Sequence, residues 1–87
     1  MDLIARFEAA AARSKTLPKR PPDDVLLQLY ALYKQATEGD VSGDPPGFFD
    51  LVGQAKYDAW ETLKGTKKDT AMQEYVALVD RLWGQVW

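Results

Sequence analysis

The chain has 87 residues, a formal net charge of −2, no cysteine and no histidine. Those absences exclude disulfides and thiolate metal sites, and they remove the usual general base and the commonest metal ligand; a slightly acidic chain also argues against non-specific nucleic-acid binding. At 46% apolar and 28% charged residues, the composition fits a single soluble globular domain over residues 1–87, which at this size buries roughly 60–65% of its unfolded surface.

The start, MDLIARFEAA, is acidic and then mixed, unlike a secretory signal, so a cytoplasmic protein is expected. Leu3, Ile4, Phe7, Ala10, Ala11 and Ser14 recur with helical spacing and predict a first helix over about 3–16. The three prolines of LPKRPP (17–22) end it. Asp23 is the expected N-cap of a second helix that runs to about Thr37, with Asp24 adding favourable charge and Gly39 supplying the stop.

GDVSGDPPG (39–47) reads as a loop. A third helix is expected from about Asp50 to Lys64–Gly65. Thr66 and Asp69 resemble a capping box at the head of a fourth helix over about 67–85. No segment alternates with period two, so the fold class is all-α with four helices. No apolar run approaches the about 20 residues of a membrane span, and no stable membrane insertion is expected.

Several side chains fall out of pattern. On the second helix Val25, Leu26, Leu29, Leu32, Tyr33 and Ala36 share a core-facing arc, while Gln28 and Gln35 lie opposite and should face water. Tyr30 and Lys34 border that arc beside Leu27. This is either a half-buried tyrosine with its lysine reaching for water, or a place for a flat ring and an anion. On the third helix Lys56 projects into an apolar face of Val52, Ala55, Ala59, Trp60 and Leu63. A lysine there needs an escape to solvent or an anion. On the fourth helix Tyr75 lies in the apolar arc of Ala71, Met72, Val76, Leu78, Val79, Leu82 and Val86. Its hydroxyl needs a partner, with backbone the first expectation. Trp83 and Trp87 cover the core edge or the surface.

Catalytic and metal patterns are absent. No glycine loop for phosphates is present, Ser14 and Ser42 have no histidine to activate them, and Asp40 and Asp44 do not have calcium-loop spacing. No catalytic residue and no metal ligand is assigned.

The run P-x-D-D-x-L-x-x-L-Y-A-x-Y-K-Q-A-T-x-G-D, from Pro21 to Asp40, is followed in order by PG (46–47), AKYDAW (55–60), LKGT (63–66) and AMQEYV (71–76). In these motifs and their spacing the chain resembles the acyl-CoA-binding proteins over nearly its whole length. The resemblance implies a four-helix bundle with a shallow ligand bowl. It implies a monomeric, non-catalytic cytoplasmic carrier of medium- to long-chain acyl-CoA that uses no cofactor, since acyl-CoA is carried. Acyl-CoA-using enzymes are its expected partners.

The family's site maps onto Lys15, Tyr30, Tyr33, Lys34, Lys56 and Tyr75. Tyr33 would stack on adenine, while Lys34, Lys56 and the Tyr30 hydroxyl would hold the 3′-phosphate. Ala11, Leu27, Val52, Ala55 and Ala59 are the expected acyl-groove lining. The chain departs from the family at Pro22, at the Pro45–Pro46 pair, and at Val52 and Gln54, where many relatives are lysine-rich. Two other classes compete: an interaction module whose groove takes a partner helix or an acylated protein, and a detached domain of an acyl-CoA enzyme.

Overall fold

The computed structural model describes residues 2–84 and contains four helices: α1 (Leu3–Ser14), α2 (Asp23–Glu38), α3 (Leu51–Glu61) and α4 (Lys68–Gly84). Among the described residues there is no strand. α4 packs against α1 and α2, and α2 packs in turn against α3. One core joins Phe7 and Ala10 of α1, Leu29, Leu32 and Ala36 of α2, and Ala71, Tyr75, Leu78 and Val79 of α4. Burial of such side chains contributes about 1.5–3 kcal/mol each before conformational entropy is counted.

The helix ends differ from the periodic reading for local reasons. α1 stops two residues early, where the Lys15 and Thr16 amides fold back onto the Ala12 and Arg13 carbonyls. The N-cap of α2 is Pro22, with no side-chain cap, and Asp23 and Asp24 lie in the first turn. Pro22 sets the extended entry and its carbonyl takes the Val25 and Leu26 amides, so the aspartates act through the helix dipole rather than by capping. Gly39 ends α2 with φ 84°, where its amide still reaches the Gln35 carbonyl; that left-handed conformation favours glycine.

Asp50 caps α3 by accepting from the Gly53 amide at 2.9 Å. The helix ends at Glu61 rather than near Lys64, because the Thr62–Thr66 segment closes into tight turns. α4 starts at Lys68, one residue beyond the predicted start. The Thr66 carbonyl there accepts from Gln35 Nε2 at 2.7 Å. The predicted end of α4 near 85, Val86 and Trp87 lie outside the described residues.

Gln35 is the largest correction. It is fully buried, 0% exposed, not water-facing. α2 is covered by α4 on one side and α3 on another, so its polar side is also enclosed. Gln35 Nε2 bridges the Thr66 carbonyl and Asp40 Oδ1 (2.9 Å), and the Gly65 amide donates to the same Asp40 oxygen at 2.8 Å. This network fastens the end of α2 to the α3–α4 turn.

α3 is the second correction. It contains no fully buried residue. Ala55, Ala59 and Trp60 are half-buried, and Val52 is 68% exposed. The helix leans on α2 alone, so its apolar stripe is a flank and not a core face. Ile4, read as part of the α1 stripe, is likewise exposed.

Candidate functional site

Four aromatic rings organise one side of the molecule. Phe7 stacks on Tyr33 at 5.5 Å with a 25° tilt, and it meets Tyr75 edge-on at 5.1 Å. Tyr33 and Tyr75 lie 6.0 Å apart. Phe7 therefore covers one face of Tyr33, while the phenol remains 42% exposed. Tyr30, one turn earlier on α2, stands between two ammonium groups. Lys56 Nζ lies 5.2 Å from its ring centre and Lys34 Nζ lies 6.0 Å from it. Lys34 is also 5.6 Å from the Trp60 ring. Cations over aromatic faces are attracted by the ring quadrupole.

A cavity of about 390 Å³ opens beside these rings, lined by Ala11, Ser14, Lys15, Leu29, Tyr30, Tyr33 and Tyr75. Its volume falls within the usual range of small-molecule pockets. Four of the six predicted site residues line it: Lys15 from the end of α1, Tyr30 and Tyr33 from α2, and Tyr75 from α4. Lys34 and Lys56 join at its edge through the Tyr30 ring. The helix packing thus brings all six predicted residues, from all four helices, to one region.

The predicted apolar lining divides. Ala11 is in this cavity. Val52 and Ala55 lie on α3, one turn and one residue before Lys56. Leu27 and Ala59 instead line a separate cavity of about 450 Å³ bounded by α2, α3 and α4.

The electrostatics describe groups fixed in one protonation state. Lys34 Nζ donates to Glu38 Oε2 at 2.6 Å. That hydrogen bond holds the Lys34 pKa above the ordinary lysine value against partial desolvation. Burial pushes the Tyr75 phenol up, opposed by its bond to Ser14. The Tyr75 hydroxyl donates to Ser14 Oγ at 3.0 Å, and the Ser14 hydroxyl donates in turn to the Ala11 carbonyl at 2.7 Å. Its partner is therefore a side chain and not the expected backbone group. Near neutral pH Lys34 stays an ammonium and Tyr75 a neutral phenol, so neither supplies a base. Lys56 is exposed, and among the described residues no carboxylate lies within salt-bridge distance of it.

Residues 4–79 match the family model described as Acyl CoA binding protein. The chain belongs to the acyl-CoA-binding protein family. Acyl-CoA-binding protein homolog 1 of Caenorhabditis elegans is 55% identical over 76 residues, which cover 87% of this chain and 88% of the relative. The solved Oryza sativa Acyl-CoA-Binding Protein 2 superposes with a TM-score of 0.94 at 40% identity, covering 98% of this chain and 94% of that one. A similar stretch, 53% identical over 76 residues, makes up 19% of enoyl-CoA delta isomerase 2 of Rattus norvegicus. The module therefore occurs both as nearly a whole protein and as a small part of an enzyme. The relatives that this acyl-CoA-binding protein family member matches along almost their full length are named as binding proteins, not as enzymes.

Sequence reasoning missed three residues that shape the site. Phe7 was read only as part of the apolar spacing that predicts α1, yet it backs Tyr33. Ser14 holds the Tyr75 hydroxyl across 61 residues of sequence. Glu38 claims the Lys34 ammonium. Only Glu38 had a local signal, its i+4 spacing from Lys34.

Proposed function

We propose that this chain binds and carries medium- to long-chain acyl-CoA thioesters without altering them. The observation that carries the reading is the placement of two ammonium groups, from α2 and α3, over one tyrosine ring beside an aromatic cavity. An adenine nucleotide with a 3′-phosphate asks for that combination: a ring to stack on and charge-assisted donors for the phosphate.

Tyr33 presents its uncovered face to the adenine, with Phe7 supporting the other. Lys34, Lys56 and the Tyr30 hydroxyl take the 3′-phosphate. The phosphate draws Lys34 away from Glu38, whereas Lys56 has no carboxylate to leave among the described residues. Lys15 and Tyr75 complete the polar wall around the rest of the head group. Ala11, Val52 and Ala55 offer apolar surface for the acyl tail, whereas Leu27 and Ala59 line the separate α2–α3–α4 cavity. Carriage without chemistry fits the absence of histidine and cysteine from the chain and the naming of its near-full-length relatives as binding proteins.

Calorimetric titration with palmitoyl-CoA, free coenzyme A and palmitate tests the reading. Palmitoyl-CoA should bind far the tightest, and affinity across a series of acyl-CoA lengths should climb and then level off, since each buried methylene adds up to about 0.8 kcal/mol. Palmitate or free coenzyme A binding as tightly as the thioester would refute it.

A further inference from the structure

Ala11, Ser14 and Tyr75 lie together in the wall of the aromatic cavity, joined by two hydrogen bonds whose directions follow from the groups involved. The Ala11 carbonyl, 2.7 Å from Ser14 Oγ, can only accept, so it takes the single Ser14 proton. The Tyr75 hydroxyl, 3.0 Å from the same Ser14 oxygen, must then be the donor, because Ser14 has no proton left to give.

Tyr75 is held in place by packing. It is 4% exposed, with Phe7 edge-on at 5.1 Å and Tyr33 at 6.0 Å. Packing fixes the ring and its oxygen, but it does not choose the direction of the O–H bond. Ser14 makes that choice.

The consequence is a change of polarity. A free phenol donates or accepts. With its proton committed to Ser14, Tyr75 offers the cavity lone pairs only. The Lys15 ammonium in the same wall offers donors only. The two therefore ask for opposite partners.

We infer that Ser14 is a positioning residue for ligand selection, holding Tyr75 as an acceptor for a neutral N–H donor of the bound molecule. Phosphate and carbonyl oxygens are acceptors, and lone pairs repel them from this point. A hydroxyl fits either polarity and does not need one fixed. An N–H group can only donate, so it is the partner that such a wall recognises. The inference rests on the carrier reading, in which the ligand is an acyl-CoA. That ligand carries neutral N–H donors in two places: the secondary amides of its pantetheine arm and the amino group of its adenine.

The test titrates the whole chain by calorimetry with palmitoyl-CoA and with analogues that each lack one donor. In two of them a pantetheine amide N–H is replaced by an ester oxygen; in another the adenine amino group is removed. At least one analogue should bind the wild-type protein roughly three- to tenfold more weakly than palmitoyl-CoA, and its identity locates the donor. That deficit should vanish in Tyr75→Phe, which has no acceptor. In Ser14→Ala the phenol proton is free to turn toward the ligand, so the deficit should fall below about twofold. It should return in Ser14→Thr, which keeps the hydroxyl. A merely structural role for Ser14 would weaken every ligand by one common factor and leave the ratios unchanged, and that outcome overturns the inference. So do a wild-type protein that binds every analogue as tightly as palmitoyl-CoA, and a deficit that survives Tyr75→Phe. Tight palmitoyl-CoA binding with any of these results leaves the carrier reading intact, whereas a wild-type protein that does not bind palmitoyl-CoA overturns both.

Discussion

The three-helix core of α1, α2 and α4 and the α3 flank are built on different terms. The core buries Phe7, Ala36, Ala71 and Val79 almost completely. α3 buries nothing fully and is secured by one neighbour and by hydrogen bonds from Tyr57, Trp60 and Gln54 to the preceding loop. The difference teaches where stability and recognition reside. The core fixes the aromatic wall, while α3 brings Lys56 to it and can change its exposed residues at little structural cost.

The sharpest way to break this contrast is to truncate one side chain in each region. Phe7→Ala should destabilise the fold by about 3–5 kcal/mol and also weaken ligand binding by removing the backing of Tyr33. Val52→Ala should stay within about 0.5 kcal/mol in denaturant unfolding. Comparable losses at both positions would place α3 in the core after all.

Within the aromatic wall, ring and hydroxyl should separate. Tyr33→Ala should cost about 1–3 kcal/mol of palmitoyl-CoA affinity, and Tyr33→Phe should cost little. At Tyr30 the Phe variant alone should be costly. Calorimetry that shows the opposite order would exchange the two roles.

A smaller effect is expected where the regions meet the ligand electrostatically. Glu38 holds the Lys34 ammonium at 2.6 Å and adds a like charge near the proposed phosphate. Exposed pairs of this kind contribute about 0.2–1 kcal/mol. Glu38→Gln should therefore raise acyl-CoA affinity by up to about fivefold, and a loss of affinity would show that Glu38 positions Lys34 instead.

The smallest effect concerns the joint between core and flank. The Gly65 amide, and then Gln35, hold the Asp40 carboxyl below its ordinary value of 3.8. A carboxyl whose folded pKa is lowered adds stability that is complete above the unfolded value and is lost as pH falls through the folded one. Asp40→Asn should lower stability at neutral pH and flatten the acid loss below about pH 4. Parallel stability–pH curves for the two proteins would show that Asp40 is not fastening the turn.

The four helices were legible because apolar spacing and proline or glycine punctuation are local signals. Their ends shifted where a backbone arrangement replaced a side-chain one, as at Pro22 and Thr62. Gln35 was misread because a helical wheel identifies one buried arc, and α2 has neighbours on two sides. α3 was misread for the converse reason, since an apolar stripe does not reveal how much of a neighbour will cover it. Tyr30, Lys34, Lys56 and Tyr75 were visible as residues out of pattern, whereas Tyr33 read as part of the core arc and its site role, like that of Lys15, came from the family motifs. Phe7 and Ser14 were not visible as site residues, because their partners lie across the fold.

The most direct measurement is a cycle between the protein and its ligand, titrating wild type and Lys56→Ala with palmitoyl-CoA and with 3′-dephospho-palmitoyl-CoA. If Lys56 holds the 3′-phosphate, the variant should lose about 1.5–3 kcal/mol with the intact ligand, and most of that loss should disappear when the phosphate is absent. An equal loss with both ligands, or no loss with either, would contradict the assignment of the α3 lysine to the phosphate.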